Sequence, residues 1–342
     1  MSNSDLTVRV EGRVGYITLT RAKVLNAVNH TIVSVMTEAL ARWANDPQIA
    51  MVLVDSDSER AFSAGGDLSA MYHYGKTGEY EAGNAFWREE YRLNAMISRY
   101  PKPYVAFMDG IVMGGGVGLS AHGSHRIVTE HSVVAMPEAS IGLITDVGGT
   151  YLLHQAPGHL GEYLGLTATR MNGADAIYAR MADYLVPRER LGELKAQLIA
   201  TGDVREIEKV TATDIVSPLA ALQPQVDACF SAPSIQDIRS RLSGIAEEWA
   251  HKAEEAISRA SPISLLAILA AVRKANTLEA ALRHEYRFVS RVLEHGDFVE
   301  GIRAVIIDKD KNPQWRYKRV EDVPQSLLEL FAREAEGGDP AF

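Results

Sequence analysis

A chain of 342 residues, 46% apolar and 23% charged, is long enough for one large domain, or one domain with an appendage, and buries a core without disulfides or metal. Its formal net charge of −9 excludes a general nucleic-acid binder, which needs a basic face to neutralise phosphates, but is compatible with a local basic pocket. Cys229 is the only cysteine, so neither an intrachain disulfide nor a cysteine metal cluster forms.

The N-terminal MSNSDLTVRVEGRV carries neither the apolar run of a secretory signal nor an Arg/Ser-rich presequence, and no stretch of about 18 uninterrupted apolar residues follows. These features predict a cytoplasmic protein with no membrane partner. Taken in order, residues 13–20 (RVGYITLT) alternate and predict a strand. The next stretch sets Ile32, Val33, Val35, Met36, Ala39, Leu40 and Trp43 at helical spacing, and Asn45 to Pro47 stop it. IAMVLVDSD (49–57) is a continuous apolar run, the mark of a buried strand. RAFSAGGDL (60–68) follows as a glycine-bearing loop, then a polar, aromatic helical stretch from about 70 to 100.

PYVAFMDG (103–110) reads as a strand, GGGVGLSAHG (114–123) as a helix opened by glycines, and HRIVTE (125–130) and VVAMPE (133–138) as short strands. Strands alternating with helices argue for an α/β domain. Beyond about residue 150 helix and loop dominate, with one short strand closing DAIYARMADYLVP (175–187). Ser261 as a cap and Pro262 in the first turn start a long helix through LLAILAAVRKA (265–275).

Two features carry chemistry. The glycines of MDGIVMGGGVGLSAHG (108–123) do not match G-x-G-x-x-G, since position 119 is leucine, and no Walker lysine follows. Close packing of a helix start on a strand explains them plainly. The sharper account is an oxyanion site, in which glycine lets backbone N–H groups approach a carbonyl oxygen, and SAGGD (63–67) offers a second such turn. The other feature is AMPEASIGLITDVGGTY (135–151), where Glu138 and Asp146 flank an apolar run. Two buried carboxyls near each other do not both ionise cheaply, so one pKa rises and that acid donates. The plain alternatives are a strand-end acid for Glu138 and a turn-forming residue for Asp146.

His122, His125 and His131 lack an acidic or cysteine partner at metal-ligand spacing, so no metal is expected. Ser63 and Ser120 stand near the glycine turns without a nucleophile elbow, and read as packing or capping residues.

LTRAKVLNAV (19–28), RAFSAGGDL, YVAFMDGIVMGGGVGLSAHGSHRIVTE (104–130) and AMPEASIGLITDVGGTYLL (135–153) together resemble the crotonase (enoyl-CoA hydratase/isomerase) superfamily. A further matching stretch is HEYRFVSRVLEHGDFVEGIRAVIIDKDKNPQW (284–315). The resemblance implies a crotonase-like α/β spiral of ββα turns with a largely helical C-terminal region. Residues 1–190 would form the core with the active site, and 191–342 would pack on or extend it. It implies an acyl-CoA substrate, no cofactor beyond the coenzyme A of that substrate, and assembly as a trimer or hexamer. The oxyanion donors carry over to the backbone of Gly66 and Gly115. Lys23 corresponds to a CoA-contacting position. Of the basic cluster Lys309, Lys311, Arg316, Lys318 and Arg319, the first two lie in the better-matched motif and are the candidates for the CoA phosphates.

Hydratases of this superfamily resemble one another in using two glutamates. Here Gly118 stands where the first belongs, and Glu138 corresponds to the second. The pattern instead resembles the branch that hydrolyses 3-hydroxyisobutyryl-CoA, a valine-catabolism intermediate, to the free acid and CoA. Its acids correspond to Glu138 and Asp146, and a substrate-contacting glutamate in WREEYRLN (87–94) maps to Glu90, which otherwise reads as a solvated helix charge. The competing expectations are hydratase or isomerase activity with Asp146 replacing the missing acid, or a non-catalytic scaffold.

Overall fold

The computed structural model describes residues 5–342; the first four, at the start of the segment read above for a presequence, lie outside the described residues. Nine strands occur among the described residues: β1 (Leu6–Glu11), β2 (Val14–Leu19), β3 (Met51–Ser56), β4 (Ala61–Ser63), β5 (Tyr104–Met108), β6 (Ile111–Met113), β7 (His125–Val128), β8 (Val133–Ala135) and β9 (Tyr184–Leu185). β1 and β2 pair antiparallel, and β2 starts a parallel run that gives a six-stranded sheet ordered β1-β2-β3-β5-β7-β9. β4, β6 and β8 form a second, three-stranded parallel sheet. Thus β3, β5 and β7 enter the large sheet, and each is followed within a few residues by a short strand in the small one. This alternation is the repeated ββα turn that the resemblance implies.

The chain divides into two compact units. One comprises Met1–Gly66, Arg92–Ala135 and Arg170–Ala220; the other comprises Asp67–Tyr91, Met136–Thr169 and Ala221–Phe342. A single boundary at 190 is therefore not where the chain divides. Residues 191–220 stay with the sheets because the helix Leu191–Thr201 buries Leu191, Leu194 and Leu198 on them.

In the α/β unit, alternate residues of neighbouring strands share one face, as the period of two requires. Val14, Tyr16, Met51, Leu53, Val105 and Phe107 form such a face, and the leucines of Leu191–Thr201 cover it. Val52, Val54 and Ala106 are equally buried, so these strands read as continuous apolar runs. The expected helix forms over His30–Ala44, where the Asn29 side chain accepts the Ile32 N–H at 3.0 Å and Trp43 is the last buried contact.

The second unit is helical. The stretch expected as one helix from 70 to 100 is two, Leu68–Thr77 and Tyr80–Ser98, because Gly78 takes φ +77° and ends the first. Ser261 caps the helix Pro262–Val272 by accepting the Ser264 N–H at 3.3 Å, as the sequence predicts. The helix Leu278–His295 buries an apolar face that contains one charge, Glu285. No single helix among the described residues is long and apolar enough to cross a membrane.

Candidate active site

The helical unit brings four acids into its interior. Glu138 opens a short 3-10 turn, Glu138–Ile141, which Gly142 closes at φ +76°. That turn is seated on the chain at 297–301. A Cβ on Gly142 would lie 2.7 Å from the Asp297 backbone, and one on Gly301 would lie 2.1 Å from the Ile141 carbonyl oxygen. Only glycine permits either approach, which explains why the C-terminal motif carries its glycine at 301.

Asp146 opens a second turn, in which the Gly149 N–H donates to the Asp146 carbonyl at 2.7 Å. Val147 and Gly148 both have positive φ, 55° and 75°. Glycine takes that conformation freely, whereas a β-branched residue there costs roughly 1–3 kcal/mol and persists only when its surroundings hold it. The Glu285 carboxylate accepts the Gly148 N–H at 2.7 Å, the Thr150 N–H at 3.0 Å and the Thr150 hydroxyl.

Glu90, Glu138, Asp146 and Glu285 are all buried, at 2%, 3%, 5% and 0% exposure, which removes the solvated-surface account of Glu90. Among the described residues no lysine, arginine or histidine pairs with any of them. Tyr91 donates its hydroxyl to Asp146 Oδ2 at 2.9 Å, while Glu90 Oε1 and Glu138 Oε2 have no hydrogen-bond partner.

Burial pushes the Asp146 carboxyl up to about 7, against the lowering effect of Tyr91 and of a backbone N–H. Burial, and then the Asp146 charge, hold Glu90 and Glu138 well above the usual carboxylate range. Burial likewise raises Glu285 to about 8, against its three donors. Tyr91 supplies the one side-chain hydrogen bond to this pair, at Asp146, and so favours the ionised form there against the effect of burial.

The α/β unit contains the two glycine turns. Gly114, at φ 48° and ψ −120°, opens the helix Gly115–Ser120. A Cβ on Gly116 would lie 2.4 Å from the Ser63 carbonyl oxygen, and one on Gly65 3.2 Å from that of Met113, so the turns meet backbone to backbone. Among the described residues the N–H groups of Gly66 and Gly115 have no partner. Gly118 is buried inside the short helix.

The remaining candidates separate cleanly. Lys23 is exposed in the turn Ala22–Val24. Lys309 and Lys311 are exposed in a loop whose acids, Asp308 and Asp310, pair with Arg303 at 2.6 and 2.7 Å, which leaves the two lysines facing outward as cations. Of the other basic residues, Arg319 pairs with Asp322. Ser63 and Ser120 donate to the carbonyls of Asn26 and Gly116, a structural role for both. His125 lies on β7, the strand expected there, with its ring stacked on Tyr184. Among the described residues no group of three or more His, Cys, Asp or Glu is placed to hold a metal ion. Sequence reasoning missed Tyr91, adjacent to a residue it singled out, and Glu285, which lies 137 residues from Gly148.

A family model described as enoyl-CoA hydratase/isomerase matches residues 14–331. The chain is 37% identical to the mitochondrial 3-hydroxyisobutyryl-CoA hydrolase of Gallus gallus, over 96% of its own length and 88% of that protein. It is 38% identical to the protein of the same name from Xenopus tropicalis, over 94% of this chain and 86% of the other. A solved carnitinyl-CoA dehydratase from Mycobacterium thermoresistibile superimposes with a TM-score of 0.94 at 43% identity, covering 98% of each chain. Both vertebrate relatives are named as mitochondrial, which overturns the cytoplasmic expectation. Compartment is decided by receptor-read addresses, and the composition of a folded chain does not report it.

Proposed function

The chain belongs to the enoyl-CoA hydratase/isomerase family, and from that premise we propose that it hydrolyses the thioester of a short hydroxyacyl-CoA, 3-hydroxyisobutyryl-CoA, to 3-hydroxyisobutyrate and CoA. It is an acyl-CoA thioester hydrolase. The observation that carries this is the acid set: Glu138 is buried beside Asp146 with no cation among the described residues, while the position of a hydratase's first glutamate is Gly118.

Thioester hydrolysis consumes a base and an acid together. Water attacks the carbonyl carbon and loses a proton, the carbonyl oxygen gains charge, and the C–S bond breaks to leave a thiolate that must be protonated. Asp146 in its ionised form takes the proton of water, and protonated Glu138 supplies one to sulfur. With the shared proton moved to Asp146, Glu138 becomes the base, or the nucleophile that forms a mixed anhydride. Both routes keep one negative charge on the pair.

The N–H groups of Gly66 and Gly115 are the proposed oxyanion donors, supported by their free N–H groups and by the ordered family motifs. Removing one such donor typically costs about 10²–10³ in rate. Glu90 is the proposed contact for the substrate hydroxyl, since its unpartnered Oε1 is a buried acceptor. Lys23, Lys309 and Lys311 are the proposed partners of the coenzyme A moiety, which makes any separate cofactor unnecessary. The reaction belongs in valine catabolism, and the proposed assembly is a trimer or a pair of trimers, which sedimentation of the full chain as a monomer would exclude.

The dehydratase name of the solved neighbour favours one rival, addition or removal of water at a carbon–carbon double bond. A panel of acyl-CoAs separates the two. Prompt free-thiol release from 3-hydroxyisobutyryl-CoA is the expected result. Loss of enoyl absorbance without thiol release makes the protein a hydratase, and turnover of nothing by folded protein leaves a scaffold.

A further inference from the structure

We propose that Glu285 is a positioning residue that holds the turn Asp146–Gly149 in its left-handed form and thereby fixes the hydrolytic carboxylate. The inference rests on the hydrolase assignment for the activity arm of its test.

The turn is intrinsically strained at Val147. Val147 is a buried, β-branched residue at φ 55°, and Gly148 follows at 75°. The intrinsic preference of valine is to leave that region, and leaving it would swing the Asp146 side chain off its partner. The hydrogen bond that closes the turn, Gly149 N–H to the Asp146 carbonyl, cannot distinguish this form from its mirror image. Glu285 can. Its Oε2 accepts the Gly148 N–H at 2.7 Å, and its Oε1 accepts the Thr150 N–H at 3.0 Å together with the Thr150 hydroxyl. These N–H groups converge on one carboxylate only with positive φ through the turn.

A carboxylate suits this task where an amide does not. Both of its oxygens accept, whereas a glutamine would turn an N–H toward one of the donors. Glu285 is wholly buried, has no cation among the described residues, and takes no other hydrogen bond there, so its side chain is committed to the turn. The same helix supports Asp146 from a second direction. Tyr286, the next residue, meets the Tyr91 ring edge-on at 6.3 Å, and the Tyr91 hydroxyl holds Asp146 Oδ2 at 2.9 Å. Main chain and side chain of Asp146 are therefore both held through one helix, Leu278–His295.

The test uses the full-length protein with Glu285→Gln, Val147→Gly and the double variant. Glu285→Gln is expected to lower kcat by about tenfold or more with KM within roughly threefold of wild type, because the pose of the catalytic acid changes and not the acyl-CoA contacts. Adding Val147→Gly to Glu285→Gln is expected to recover about fivefold of the lost kcat, since glycine takes positive φ without the clamp. A residue that only stabilised the fold would gain nothing from a second substitution that empties a buried site. A kcat for Glu285→Gln within roughly threefold of wild type, or a double variant no better than the single one, overturns the proposal. Should Glu285→Gln not fold, Thr150→Val removes the hydroxyl donor alone; a kcat loss of roughly threefold at unchanged KM is expected, and no loss overturns the proposal.

Amide hydrogen exchange gives a readout free of activity. The Gly148 and Thr150 amides are expected to be protected in wild type and to exchange roughly tenfold faster in the variants that lose a clamp contact. Protected amides in a wild-type protein that releases no thiol would sink the hydrolase assignment and leave the clamp standing. Unprotected amides in an active enzyme would sink the clamp alone.

Discussion

Two buried aspartates, one in each unit, sit beside a tyrosine hydroxyl and differ in the rest of their surroundings. Asp55, on β3, accepts the Tyr16 hydroxyl at 2.7 Å and meets Lys195 Nζ at 2.6 Å. Asp146 accepts the Tyr91 hydroxyl at 2.9 Å, but its charge is felt by Glu90, Glu138 and Glu285, and no cation answers it among the described residues. The first aspartate ties the helix Leu191–Thr201 to the large sheet through a neutralised pair. The second is left with its charge uncompensated inside a set of acids. Burying a carboxylate without a partner is costly, and such groups concentrate where a proton has to be moved. The same two side-chain types thus meet a counter-charge in one unit and only further acids in the other, and the difference lies in what the third residue is.

The largest expected effect falls on the chemical side. Glu138→Gln keeps size and removes the ionisable group, and should lower thiol release by about a thousandfold, some 4 kcal/mol of transition-state stabilisation. Activity within tenfold of wild type would remove Glu138 from the mechanism and with it half of the contrast. On the structural side, Asp55→Asn strands the Lys195 ammonium, whose side chain is 24% exposed, without its counter-charge. The expected loss is about 2 kcal/mol of stability, discounted for that exposure, read as a lower urea midpoint. Turnover per folded molecule should be unchanged; a fall in kcat would mean that the two aspartates do not differ in kind.

How much of this was readable beforehand follows range in sequence. The strands at 14–19, 51–56 and 104–108, the helix His30–Ala44 and the Ser261 cap are written in local patterns of two, 3.6 or a cap, and the sequence states them. β1 escaped although Leu6, Val8 and Val10 alternate with polar residues as a strand requires, so nothing in its local pattern hides it. Glu138 and Asp146 were visible as acids in apolar company. Glu285 was not, since nothing local marks a glutamate in a charged helix as buried; its reason for being there is the turn at 146–149. The division of the chain was equally hidden, because residues 67–91 and 136–169 join the C-terminal helices through contacts that no nearby residue announces.

Asp146→Asn separates stability from activity on the chemical side. Turnover should drop at least about tenfold, roughly 1.4 kcal/mol. Stability should move the other way. Because the folded protein raises Asp146 from 3.8 to about 7, the neutral form is favoured in the fold. The stability tied to it is complete below the unfolded value and lost as pH rises through about 7. Asparagine cannot ionise, so the variant should melt higher than wild type at pH 8, by roughly 2 °C or more, with a gap that narrows toward pH 5. A gap that widens on acidification would reverse the sign and place a charge partner beside Asp146. Asp55→Asn, which melts lower throughout, is the contrasting curve.

The smallest expected effect isolates the one element that both aspartates share. Tyr91→Phe removes a hydroxyl that favours the charged form of Asp146, and so raises a pKa already near 7. A hydrogen bond to a charged group is worth about 1.5–3 kcal/mol when fully expressed, and each pKa unit corresponds to about 1.4 kcal/mol. With other donors still present, the inflection of the pH–rate profile should rise by roughly one unit. The direction does not depend on whether the ionised or the protonated form of Asp146 is required, since either limb moves up. At pH 7 the change in kcat is then a few-fold. Tyr16→Phe makes the same deletion beside Asp55, where Lys195 still holds the charge, and should leave the profile where it was. Equal shifts from both variants would show that the hydroxyls act on the protein as a whole; a shift from Tyr91→Phe alone ties the titrating group to the acids of the helical unit.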